Sequence, residues 1–273
     1  QVAAIEAVAG RRPDLPQVAC FDTAFHRRMP ELAQRLPLPE EMWQDGIMRY
    51  GFHGLSYESV LAALGADGGG RLVIAHLGNG ASMAAVHDGE PVDTTMSFTP
   101  SAGLMMGSRA GDLDPGLLVH LVRERGYGAG ELDELVNRRS GLLGVSGRTG
   151  DMRELLARRA GDLRAARAVA MFCRIARKQA GAMAAALGGM DGLVFTGGIG
   201  EHAAEVRAEV CAGLGHLGAA VEPGRNAAGT GIISPDGSAC AVRVVPADED
   251  LMIARHAREL VSPLPRAPRE VVA

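Results

Sequence analysis

The sequence predicts an α/β fold in which a mixed sheet carries helices on both faces. Three consecutive strand-like segments lie within residues 71–96, two more stand alone at 192–196 and 241–245, and helical periodicities separate them. At 273 residues, 47% hydrophobic and 22% charged, the chain has the length and apolar content of a folded soluble enzyme.

In chain order, residues 71–76 (RLVIAH) form a short apolar run that breaks at Leu77-Gly78-Asn79-Gly80. Residues 81–87 (ASMAAVH) resume extended character before Asp88-Gly89, which predicts a hairpin. Residues 91–96 (PVDTTM) supply a third strand. A helix is expected over about 114–125, opened by Asp114. Residues 162–187 place Leu163, Ala166, Val169, Phe172, Ala176, Ala180, Met183 and Leu187 on one helical face, a long core helix. The strand GLVFT at 192–196 leads into a helix after Glu201 that runs to about Leu214. The strand AVRVV at 241–245 leads into a last helix over about 248–260, and residues 262–273, with three prolines, read as a frayed tail.

Charge and composition exclude several function classes. A net charge of −4 gives no basic field for nucleic acid. No run of about 18 uncharged apolar residues offers a membrane span, and the first residues lack the layout of a signal peptide, so the expected location is cytoplasmic. Cys20, Cys173, Cys211 and Cys240 are scattered without a C-x-x-C pair, as expected of ordinary buried thiols. The chain opens on Gln1 in mid-helix character, and a truncated reading frame is the expectation.

Glycine clusters at strand ends are where anion-binding backbone is expected. Gly78-Asn79-Gly80 offers unobstructed N–H groups and an amide, although a plain hairpin turn is the more usual reading of a lone G-N-G. Gly197-Gly198-Ile199-Gly200-Glu201-His202 follows a strand and opens a helix. Neither cluster is a G-x-G-x-x-G or a G-x-x-x-x-G-K loop. Between them lies MMGSRAGDLDP, in which Arg109 either reaches outward to a phosphoryl group or pairs with Asp112 to shape a loop. His53 sits between glycines in YGFHG, a place where an isolated histidine is usually structural. Asp22 in CFDTAFH is either a cap or a functional acid.

Taken in order, FDTAFH, YGFHG, HLGNGAS, TPSAGLMMGSRAGDLDP, SGLLGVSG, FTGGIGE and PADEDLMIA resemble the successive motifs of acetate kinases from about Phe21 to Ala254. The resemblance implies the actin-like ATPase, or ribonuclease H-like, fold of the sugar kinase/Hsp70/actin superfamily. It implies that residues 1–26 are a remnant of an N-terminal lobe, 27–250 a complete second lobe, and 251–273 a helix returning to the first lobe, then the tail.

The activity implied is reversible ATP-dependent phosphorylation of a short carboxylate, acetate or propionate, in a homodimer using Mg²⁺ or Mn²⁺. By resemblance, Asp22, His53 and Arg109 are catalytic, and Glu249 helps hold the metal through water. His76, Leu77, Gly78, Asn79, Gly80, Asp151, Met152, Arg153, Gly198, Ile199, Gly200, Glu201 and His202 line the nucleotide, while Phe52 and Pro100 wall the acid's alkyl group. Two departures stand out: His202 where the family carries Asn, and Leu55-Ser56-Tyr57 where it carries Thr-Ser-His. The family's N-terminal phosphate loop, substrate arginine and H-N-P histidine have no counterpart, so little or no turnover is expected of the chain alone. A non-catalytic nucleotide-binding remnant and a kinase for a longer acid such as butyrate are the rival readings.

Overall fold

The computed structural model describes residues 2–261. The 262–273 tail and Gln1 lie outside them. Six strands form one sheet: β1 (Arg71–Leu77), β2 (Ala81–His87), β3 (Glu90–Thr94), β4 (Gly192–Thr196), β5 (Gly231–Ile232) and β6 (Ala241–Val244), in the order β3-β2-β1-β4-β6-β5. The β1–β2–β3 meander is antiparallel, whereas β1–β4 and β4–β6 are parallel. The mixed sheet expected from the sequence is therefore present.

Side-chain alternation divides the core between the two faces. From β1, Val73, Ala75 and Leu77 enter a large cluster, while Leu72 and Ile74 enter a smaller one behind the sheet. β4 splits likewise, with Leu193 and Phe195 on one side and Val194 on the other. The Leu163–Ala186 helix covers the first face, and the Gly54–Leu64 helix, with Tyr57 and Val60, covers the second. The C-terminal helix Glu249–Val261 packs on the latter. Helices thus lie on both faces.

The long helix buries the middle of the face predicted, Val169, Phe172, Ala176, Ala180 and Met183, but not its ends. Asp162 is its N-cap and accepts hydrogen bonds from the N–H groups of Arg164 and Ala165, so Leu163 falls at the outward first position, 73% exposed. The buried stripe is Ala165, Ala168, Val169, Phe172, Cys173, Ala176, Ala180, Met183 and Ala184, with Ala166 and Leu187 only half-buried. Phe172 is its largest side chain, and truncating it to Ala costs about 3–5 kcal/mol.

Other boundaries moved for local reasons. β3 ends at Thr94 rather than Met96, and its register shifts between Ala85 and Val86, where Pro91 cannot donate to the ladder. The Gly197–His202 segment is itself a helical turn, and after a break at Ala203 a second helix runs over Ala204–Cys211, short of Leu214. Asp114 and Asp248 cap as expected, accepting from Gly116 and Leu251 N–H at 2.9 and 2.8 Å. The edge strand β5 and the helices Gly54–Leu64, Ala129–Arg138 and Met152–Arg158 were not foreseen.

Candidate active site

The turn between β1 and β2 closes with Gly78 N–H donating to Gly80 C=O at 3.0 Å, so Gly78-Asn79-Gly80 is a hairpin turn. It also lines a cleft of about 720 Å³. The Asn79 carbonyl accepts from Gly107 N–H at 3.0 Å, which brings the Met105–Pro115 stretch across the end of the sheet. A Cβ on Gly107 would displace the Asn79 amide oxygen, so glycine there keeps that amide in place.

His53 is held from three sides. Its backbone is left-handed, φ 60° and ψ 28°, a conformation that costs a non-glycine residue about 1–2 kcal/mol. The Asp22 carboxylate accepts its N–H at 2.7 Å, the Asp22 carbonyl accepts from Gly54 N–H at 2.8 Å, and buried His26 donates from Nε2 to Phe52 C=O at 2.9 Å. Asp22 is thus a cap for the turn that presents His53. The His53 ring stacks on His76 with centroids 4.1 Å apart, and Ser82 Oγ lies 2.8 Å from Nδ1.

Burial, then the Arg109 charge and His26, push the His53 pKa down to about 4. Burial and His53 push His76, bonded through Nδ1 to Ser56 Oγ at 2.8 Å, down to about 3. Burial therefore favours the uncharged His53 ring at neutral pH, which can still offer a hydrogen bond.

Arg109 does not pair with Asp112. Its Nη1 donates to Pro100 C=O at 3.1 Å, whereas Asp112 accepts from Gly103 N–H at 2.7 Å and from Gln179 Nε2 at 3.3 Å. The guanidinium is left without a carboxylate among the described residues, and it converges with His53: a Cβ placed on Gly80 would lie 3.3 Å from His53 Nε2 and 3.6 Å from Arg109 Nη1. Phe52 is half-buried and packs against the large core cluster.

Gly78, Asn79, Asp151, Met152, Arg153, Gly198, Ile199 and His202 line the cleft as expected. Asp151 caps the Met152–Arg158 helix and accepts from Arg153 Nη2 at 2.8 Å, which lowers its pKa. Leu77 and Gly200 are buried, and His76 and Gly80 are half-buried and not among the lining residues. Glu201 is turned inward: its carboxylate accepts from Gly197 and Ala247 N–H at 3.0 and 3.3 Å and so fixes the glycine turn. Glu201 is not among the residues lining the cleft, and Gly197 N–H is committed to its carboxylate.

Sequence reasoning missed Gly107, Ser108, Leu143, Gly150, Leu156 and Ala203 in the lining; Gly107 and Ser108, beside Arg109, and Leu143, in SGLLGVSG, lay within motifs already singled out. It also missed Arg207, buried behind the glycine turn, whose guanidinium reaches the carbonyls of Gly200 and Glu201 at 2.9 and 2.7 Å and Asn226 Oδ1 at 2.8 Å.

Burial, then the charges of Asp22 and Asp250, raise the Glu249 pKa. A cation would relieve that repulsion, and a pair of carboxylates completed by phosphate and water suits Mg²⁺. Among the described residues no cluster of three His, Cys, Asp or Glu could hold a metal alone.

A model of the Acetokinase family matches residues 1–255. The acetate kinase of Rhodopseudomonas palustris is 51% identical over 262 residues, 93% of this chain and 65% of the relative, and that of Gloeobacter violaceus is 48% identical, over 93% and 64%. The chain therefore spans about 65% of the length of these curated relatives. Among solved structures, Porphyromonas gingivalis acetate kinase superposes with TM-score 0.88 at 40% identity, covering 95% of this chain and 67% of that one. A propionate kinase from Francisella tularensis gives TM-score 0.88 at 36% identity, covering 93% and 67%.

Proposed function

The chain belongs to the acetokinase family, and from that premise we propose that its protein transfers the γ-phosphoryl group of ATP to a short-chain carboxylate, giving acyl phosphate and ADP. One observation carries the reading: His53 Nε2 and an Arg109 guanidinium that pairs with no carboxylate among the described residues meet over Gly80 beside Asn79, at one end of a cleft large enough for a nucleotide.

A carboxylate is ionised at neutral pH and needs no general base. The obstacle is repulsion between two anions. Arg109, with its planar fork, stabilises the charge that spreads over the transferring oxygens, and His53 adds a neutral N–H donor in a partly dry site. Asn79 supplies amide contacts to phosphate, and Asp22 holds His53 in place. Mg²⁺, when bound, supplies charge neutralisation of the polyphosphate; Asp22 and Glu249 are the carboxylates that would hold it. Leu156, Ile199 and Ala203 give the nucleotide an apolar wall, and Phe52 and Pro100 serve as the wall for the acid's alkyl group.

We assign residues 27–250 to the second lobe of an actin-like kinase, supported by their sheet and its helical layers. A homodimer belongs to the same reading, supported by Leu117, Val119 and Val122, which stand 42–49% exposed on the Pro115–Arg125 helix. No described helix is long and apolar enough to cross a membrane, and a cytoplasmic location fits this substrate class.

An acyl-hydroxamate assay with ATP, Mg²⁺ and acids from formate to butyrate tests the proposal, run on the 273-residue chain and on the full natural gene product. Hydroxamate that disappears in Arg109→Ala supports it and names the acid. Calorimetric binding of ADP to the chain without hydroxamate from either form would favour a nucleotide-binding module instead.

A further inference from the structure

We propose that Tyr57 and Ser82 are positioning residues that fix His53 as the tautomer carrying its proton on Nε2, so that the ring presents a neutral N–H donor beside Arg109. The catalytic meaning rests on the reading of the cleft above; the tautomer itself can be tested without turnover.

The argument is one of hydrogen-bond satisfaction. Tyr57 and Ser82 are fully buried, and Ser82 Oγ lies within hydrogen-bonding distance of both Tyr57 Oη and His53 Nδ1, the latter at 2.8 Å. Among the described residues Tyr57 Oη has no other partner. A serine hydroxyl has one proton and two lone pairs. If His53 carried its proton on Nδ1, that N–H would donate to Ser82. Either the Ser82 or the Tyr57 hydroxyl would then be left without an acceptor, at a cost of about 1–3 kcal/mol.

Only one arrangement uses every proton: Tyr57 O–H donates to Ser82, Ser82 O–H donates to His53 Nδ1, and Nε2 keeps the ring proton. Burial raises the Tyr57 phenol well above its ordinary value, so it remains a donor across the working pH range. The consequence falls on the open side of the ring. Nε2 faces the space over Gly80 that it shares with Arg109 Nη1, where an anion would meet one charged and one neutral donor.

The sequence departure at Leu55-Ser56-Tyr57 thus acquires a role at its third position. From the Gly54–Leu64 helix, Tyr57 reaches across β2 to set the state of a ring four residues earlier.

The experiment is nitrogen-15 spectroscopy of histidine-labelled native chain at neutral pH, with His53→Gln to assign the ring. The expected result is a single Nε2–H tautomer with Nδ1 accepting a hydrogen bond. In Ser82→Ala the Nδ1 signal should lose its hydrogen-bonded shift and the tautomers should mix; Tyr57→Phe should move it the same way by a smaller amount, and melting curves report whether each variant folds. An Nδ1–H or doubly protonated ring in the native chain overturns the proposal, whatever the variants do. So does a folded Ser82→Ala chain whose ring is unchanged. In the full gene product, Ser82→Ala should lower kcat about tenfold with KM for ATP close to native. Absence of turnover in every form would fault the reading of the cleft and leave the tautomer result standing.

Discussion

The carboxylate of Asp22 accepts a hydrogen bond from the backbone N–H of His53 at 2.7 Å, and this contact holds a left-handed histidine at the mouth of the cleft. Asp22→Ala should lower stability by about 1.5–3 kcal/mol, the range for a hydrogen bond to a charged group. Asp22→Asn keeps an acceptor and should recover most of that loss while still lowering kcat, because the charge near Glu249 is gone. Denaturant melts alongside the hydroxamate assay would separate the two effects, and equal loss of stability in both variants would contradict them.

Arg109 has no carboxylate partner among the described residues, so its removal leaves no orphaned buried anion. Arg109→Ala should therefore melt near the native temperature yet lose about two to four orders of magnitude in kcat. Arg109→Lys should restore little, since an ammonium cannot span two phosphoryl oxygens. Calorimetry should find ADP affinity little changed in either variant.

Acid should destabilise the fold well before its carboxylates protonate. His26 and His53 have pKa values lowered to about 4 and His76 to about 3, each chiefly by burial. The unfolded chain takes up these protons near pH 6.5 and the folded chain does not, so stability is present above about 6.5 and falls as pH drops toward 4. Asp93 and Glu249, whose pKa values are raised by burial, act in the opposite direction. Thermal melts between pH 7 and 4 should show the decline, and a His53→Gln/His76→Gln chain should show a shallower one.

Buried Arg207 clamps the glycine turn through its carbonyls. Arg207→Met fits the space but abandons the Gly200 and Glu201 carbonyls and Asn226. The loss should reach about 3–5 kcal/mol. Hydrogen exchange should quicken at residues 197–202 before it does in the strands, and ADP binding should weaken with it.

Gly107→Ala should injure the cleft without unfolding the core, since the added methyl displaces the Asn79 amide. ADP affinity should fall about tenfold, as would be read by calorimetry, while the melting temperature moves by only a few degrees.

The resemblance read from seven short motifs agrees with the family to which the chain belongs. Strands β1, β2 and β4 were legible because their apolar runs end at glycines, and the Asp114 and Asp162 helix starts were legible because capping is local chemistry. Periodicity placed the long helix and the middle of its buried face but not its first turn, since Leu163 is outward because Asp162 fixes where that turn begins. In the same way, the family resemblance put His53, Asn79 and Arg109 at one site, and could not say in what state.

That decision was tertiary. Asp22 as a cap, Glu201 bonded to Gly197 and Ala247, Arg109 free of Asp112 and a His53 ring whose charge burial disfavours all depend on which groups lose water and which partners, 29 to 46 residues away in the chain for Ser82 and Ala247, take their hydrogen bonds. Sequence determined the inventory of donors and the strands that carry them, because hydrophobic alternation and turn chemistry act over a few residues. Charge, tautomer and direction were settled only by the folded packing, because desolvation is a property of the surroundings and not of the residue.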